Sequence, residues 1–206
     1  IGGEAPYVIP ALHQCARRMA GGDVVTLLLD AGADLDAVWN GAGVWAFAMV
    51  HGNGALADVI KSRGGSTDVT PPEAAMIAAL KGDAWTAPLN AAKIPPAYAT
   101  LIHEMIARPG TLDRLDHLAA LGFPTDLPDG QGLTPVQVAG WEGHPDALKW
   151  CLRQRHDLAH VNSYGGTLLS TIIHGSENAP DRKERDHIEC LRIVLVEGVA
   201  LPKRAV

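Results

Sequence analysis

An apolar helical stretch closed by a glycine returns along this chain at intervals near 33 residues, and a chain built this way must bury each copy against its neighbours. The stretch "VVTLLLDAGADLDA" (24–37) carries one apolar face and ends its helix at Gly32. "ALADVIKSRGGSTD" (55–68) repeats the pattern and ends at Gly64, 32 residues on. "TLDRLDHLAALGFPTD" (111–126) ends at Gly122, "HPDALKWCLRQRHDLA" (144–159) at Arg155, 33 further, and "HIECLRIVLVEGVALP" (187–202) at Gly198. The 58 residues from Gly64 to Gly122 hold two shortened copies, the first over 72–93. The 43 from Arg155 to Gly198 hold one copy with about ten extra residues.

An earlier helix precedes each of these. The clearest is 134–142, where Thr134 supplies an N-cap and Pro135 a first-turn proline. Equivalent segments are 10–18, 44–52, 74–82, 101–110 and 167–175. A small pair recurs at mid-helix, Cys15-Ala16, Ala78-Ala79 or Ala139-Gly140, with Ala48-Met49 a looser match, and lets adjacent helices approach closely. In the third copy Pro88 falls inside the expected second helix, which should therefore be short or kinked.

These residues resemble the ankyrin repeat family. Its T-P-L-H-x-A motif is matched by Thr134-Pro135-Val136-Gln137-Val138-Ala139 and by Ala11-Leu12-His13-Gln14-Cys15-Ala16. "LLLDAGADLDA" is close to the family's second helix and turn. The resemblance spans nearly the whole chain, is clearest in the first and fifth copies and is degenerate in the third and fourth. It implies an all-α fold, an ankyrin-type α-solenoid of antiparallel helix pairs with short hairpin-like turns. One domain over 1–206 would hold units at about 5–37, 38–69, 70–94, 95–126, 127–160 and 161–202.

A hydrophobic content of 47% excludes a disordered chain, and a net charge of −6 argues against a nucleic-acid partner. No apolar run reaches the 18 or so residues of a membrane span. The opening "IGGEAP" has neither a signal-peptide build nor an initial Met, which reads as a processed or excised product. Cys15, Cys151 and Cys190 lie inside apolar helical patterns without metal-ligand spacing. Buried free thiols in a reducing, cytoplasmic setting are expected, with no metal and no cofactor.

Catalytic patterns are weak. His103-Glu104 begins like a zinc-protease helix, but Ala107 stands where a second His is needed. His13 fills the motif's histidine position, which in the ankyrin family bonds neighbouring loops. Cys15, two residues away, points to a different side of the helix, so a Cys–His dyad is geometrically poor. Ser170 lacks a G-x-S-x-G elbow, and the glycines of "NGAGVW" and "DGQGLT" belong to the turns. No catalytic residues are assigned, and an enzyme is not expected.

The resemblance instead implies a concave groove, lined by turn tips and the exposed side of each first helix, that binds a protein partner. Counting from the fifth unit, its residues are Gly130, Gln131, Leu133, Trp141 and Glu142. The same count yields Trp39, Asn40 and His51, then Gln14, Arg17 and Arg18, then Ser163, Tyr164 and His174. Trp39, Trp141 and Tyr164 should line one surface as aromatic anchors. Trp85 and Trp150 fall on second helices and are expected to pack between units. A non-enzymatic interaction module is the first reading; the alternative is an immunity or inhibitor protein whose acidic groove occupies a toxin enzyme's basic site. The extra residues within 176–187 mix charges and should form a mobile loop, dispensable to within about 1 kcal/mol. Helix 187–197 has more apolar positions than one buried stripe needs, so self-association or chain continuation is expected there.

Overall fold

The computed structural model describes residues 8–83 and 89–199, and the chain divides into two compact units. Residues up to Ala99, with Ala120–Gly122, form the first; Thr100–Ala119 and the chain from Phe123 form the second. The described residues are mostly helical, with eleven α-helices and one two-stranded ribbon.

The first unit holds α1 (Ala11–Arg17), α2 (Gly22–Asp30), β1 (Val38–Trp39), β2 (Ala42–Gly43), α3 (Val44–His51), α4 (Gly54–Ser62) and α5 (Pro71–Lys81). Between the strands, Asn40 (φ 45°) and Gly41 (φ 83°) both take the left-handed region, as a two-residue hairpin turn demands. Helix α3 packs on α1, α4 and α5, and α2 touches α1 and α4, so first helices form one row and second helices another. Under the first row lies a ring cluster. Phe47 stacks on His51 with centroids 3.9 Å apart and on Tyr98 at 5.6 Å.

The second unit holds α6 (Leu101–Ile106), most of α7 (Leu112–Leu121), α8 (Pro135–Glu142), α9 (Pro145–Arg153), α10 (Leu168–Asn178) and α11 (His187–Val196). Again the first helices α6, α8 and α10 are neighbours, while α9 and α11 pack behind them. Trp150 on α9 is fully buried and its Nε1–H donates to Asp116 of α7 at 2.7 Å, so it packs between helix pairs as expected.

Local sequence explains the helix ends. Thr70 and Glu73 form a capping box at α5, and Thr167 and Ser170 one at α10; Asn53 and Asp186 cap α4 and α11 through their side chains. The glycines chosen as stops, Gly32, Gly64, Gly122 and Gly198, all have φ near 85°. Arg155, which replaces glycine in the fifth unit, takes the same conformation with φ 59°.

A long-range bond recurs at the fourth position of these caps. His13 Nε2–H donates to the Ala42 carbonyl at 3.0 Å and His103 Nε2–H to that of Leu133 at 2.8 Å. Gln137 donates to Gly166 O at 3.1 Å, while Glu73 accepts from the Tyr98 hydroxyl at 2.7 Å. Each ties a first helix to a segment that follows it in the chain.

Three expectations meet the structure differently. Of the third copy's second helix, 84–88, including Trp85 and Pro88, lies outside the described residues; beyond it only a single 3₁₀ turn, Ala91–Lys93, is present. The extra segment of the sixth copy is built largely of helix and turn rather than of irregular loop. α10 runs through to Asn178, Ala179 is buried, a 3₁₀ turn covers Arg182–Glu184, and the Asp186 amide donates to Gly143 O at 3.0 Å. Ala179 and these backbone bonds supply the anchoring that the charged composition hid. On α11, Cys190 and Val194 are buried, while Ile188, Leu195 and Val196 stand exposed, so the apolar surplus is real. All three cysteines are free and buried.

Candidate functional site

In the second unit, the turns before α8 and α10 and the outer sides of those two helices enclose a cleft of about 850 Å³. Its wall includes Gln131, Leu133, Trp141, Glu142, Tyr164 and His174, six of the residues selected from the sequence.

The turns are held by their own backbones. The Asp129 amide donates to Leu133 O at 2.9 Å and the Asn162 amide to Gly166 O at 3.0 Å, closing two loops of equal length. Asp129 Oδ1 accepts from Gln131 and Leu133, and Asn162 Oδ1 from Tyr164 and Gly166, the Asx-type bonding that fixes a tight turn. The Ser163 amide then donates to Gln131 O at 3.1 Å, joining the two turns. This arrangement leaves Tyr164 at the rim, 72% exposed.

Helices α8 and α10 close the floor. A Cβ added at Gly140 would lie 2.7 Å from Ile172 Cγ1, and one at Gly175 would fall on the Trp141 carbonyl. That carbonyl accepts a bond from His187 Nε2 at 2.9 Å. The Trp141 backbone is thus clamped between α10 and α11. Its ring, half-buried, turns instead along the cleft and meets His174 at 5.1 Å, 54° between planes.

Glu142 follows on the same wall. Burial pushes its carboxyl upward, the neighbouring Arg185 and His187 charges pull it down, and Asp181 adds to the rise. Arg185 is engaged elsewhere, 3.5 Å from the Asp181 carboxylate and against the His144 ring. Among the described residues the Glu142 carboxylate accepts no hydrogen bond and forms no ion pair.

The remaining selected residues belong to the first unit, apart from Gly130 and Ser163, which are exposed on the cleft's two turns. Trp39 is half-buried and packs edge-on against Phe47 at 5.8 Å and His13 at 6.2 Å. Asn40 is exposed, its carbonyl accepting from Ala97 at 3.2 Å. Arg18 is exposed at the end of α1, whereas Gln14 and Arg17 are half-buried. His51 is a correction: it is 1% exposed, stacked on Phe47, with Nδ1–H donating to Phe47 O at 2.8 Å. A histidine at a helix end can turn outward or inward, and here the ring cluster takes it in.

Sequence reasoning missed Val138, Asn162, Gly165, Gly166, Ser170 and Thr171 in the cleft wall. Val138 and Thr171 each stand one turn before a selected residue, Trp141 and His174, so i,i+3 spacing could have found both. Asn162 carries its signal in the turn it organises.

As to chemistry, the Ser170 hydroxyl donates to Thr167 O at 3.0 Å and Thr171 to Thr167 O at 2.8 Å. Both are occupied in local helix bonding rather than paired with a base. Among the described residues no group of three or more His, Cys, Asp or Glu side chains is suited to a metal ion, and no helix is long and apolar enough to cross a membrane. No protein-family model matches this chain, and no curated protein does either.

Proposed function

We propose that the protein is a non-enzymatic interaction module of ankyrin type that binds a protein partner through the cleft of its second unit. The observation carrying this reading is the convergence of Trp141, Tyr164 and His174 on one open cleft, with Tyr164 at its rim and the Trp141 ring half-uncovered. Aromatic side chains on a pre-formed concave wall supply large contact area at little entropic cost, which is why they dominate binding energy at interfaces. The ankyrin reading is supported by the recurring capped helix pairs and by the repeated bond from the fourth cap position, made by His13, Glu73, His103 and Gln137.

A photo-crosslinking side chain at position 164 tests it in a lysate of the protein's native cells. A discrete protein adduct is expected that is absent when the same group is placed at the exposed Leu27 of the first unit, and that disappears with Trp141→Ala. Equal adducts at both positions, or none at 164, would overturn the reading.

A further inference from the structure

We propose that the cleft of the second unit captures an arginine side chain from an exposed segment of its protein partner, the guanidinium stacking on Trp141 and pairing with Glu142. This rests on the reading of the cleft as a protein-binding site and adds the chemistry of the partner.

Charge comes first. Among the residues lining the cleft, Glu142 is the one Asp, Glu, Lys or Arg. Its carboxylate is half-buried and has no hydrogen bond and no ion pair among the described residues, so its acceptor positions stay open to an incoming donor. An incoming cation gives Glu142 a direct ion-pair partner, which no described side chain of the fold provides. Arg185, whose charge acts on Glu142, is itself held by Asp181 and His144.

Shape comes second. Trp141 and Glu142, successive on α8, both line the cleft wall, with Tyr164 at the rim. A planar guanidinium can lie on an indole face and still direct its N–H groups at a carboxylate in its own plane. A lysine ammonium satisfies the carboxylate as a point charge but gains less from the ring. The volume, about 850 Å³, exceeds one side chain and leaves room for flanking residues of an extended segment.

The test is selection of a random displayed peptide library on the full chain, followed by affinity measurement of the recovered peptides. Recovered sequences are expected to share an arginine at one aligned position. Replacing that arginine by lysine should weaken binding, and by glutamine weaken it further. Glu142→Gln, which keeps the side chain's shape, should weaken it about fivefold to thirtyfold, the span from an exposed to a desolvated ion pair. Tyr164→Ala and Trp141→Ala, checked for folding by circular dichroism, report whether a peptide sits in the cleft at all. Peptides that depend on Tyr164 and Trp141 but carry no shared basic residue, or ignore Glu142→Gln, overturn the arginine proposal and leave the cleft as a binding site. Peptides indifferent to all three variants, or no recovered peptides, overturn both.

Discussion

The rings of Trp141 and His174, one from α8 and one from α10, meet 5.1 Å apart, while the Trp141 carbonyl is held from behind by His187 at 2.9 Å. Backbone clamped and ring half-free, Trp141 contributes to the cleft wall more than to the core. Trp150, fully buried and bonded to Asp116, is its opposite within the same unit.

Truncating the two therefore separates packing from binding. Trp150→Ala should cost about 3–5 kcal/mol of stability, the range for a large buried aromatic. Trp141→Ala should cost less than about 1.5 kcal/mol, since its ring is only partly removed from water, but lower partner affinity by about 2 kcal/mol or more. Urea melts of both variants, read beside binding, check this. Equal losses of stability would return Trp141 to the core.

The approach of α8 to α10 rests on glycine at 175. Adding one methyl there drives it into the Trp141 backbone, which cannot swing aside, so Gly175→Ala should destabilise by about 3 kcal/mol, the upper end for overpacking. Gly22→Ala, at the start of α2 with open space around it, should instead stabilise by about 0.4–1 kcal/mol through the unfolded chain. Denaturant midpoints of the two variants should move in opposite directions.

Tyr98→Phe removes one hydroxyl and leaves Glu73 Oε1, buried, without its donor at 2.7 Å. The Thr70 amide and hydroxyl still bond the other oxygen, so the capping box survives. A loss of about 1.5–3 kcal/mol is expected, the worth of a hydrogen bond to a charged group. Recovery on combining it with Glu73→Gln would localise the cost to the orphaned carboxylate.

Burial lowers the affinity of His13, His103, His144 and His156 for protons, as desolvation penalises the imidazolium. Their folded values lie below the unfolded value near 6.5, so below that pH the unfolded chain binds more protons and stability falls as acid is added. Glu142, pushed upward by burial, works the other way at lower pH. His156 is nearly fully buried and neither ring nitrogen has a hydrogen-bond partner among the described residues. Urea melts at pH 7.5 and 5.5 should show lower stability at 5.5, and His156→Leu should narrow the difference. An unchanged difference would assign the pH dependence to other groups.

What the sequence determined by itself was local. Thr134 and Pro135 predict the start of α8, because capping bonds span only the first turn, whereas α5 starts at Pro71, three residues ahead of the 74–82 counted from the repeat. Gly32, Gly64, Gly122 and Gly198 predict helix ends, because a left-handed residue there closes the last turn; even Arg155 was legible as a stop from spacing alone. Six residues of the cleft wall were among those counted off along the sequence's recurring pattern. The tertiary structure alone decided where side chains with two options went. His51 turns inward because Phe47 and Tyr98 offer it a stack, the first of them four residues away and the second 47 residues away. The charged insertion folds because buried Ala179 and the Gly143 carbonyl receive it. Arg185 pairs with Asp181, four residues before it, rather than with Glu142. Each outcome is a competition among partners far apart in the chain, and periodicity carries no record of which partner wins.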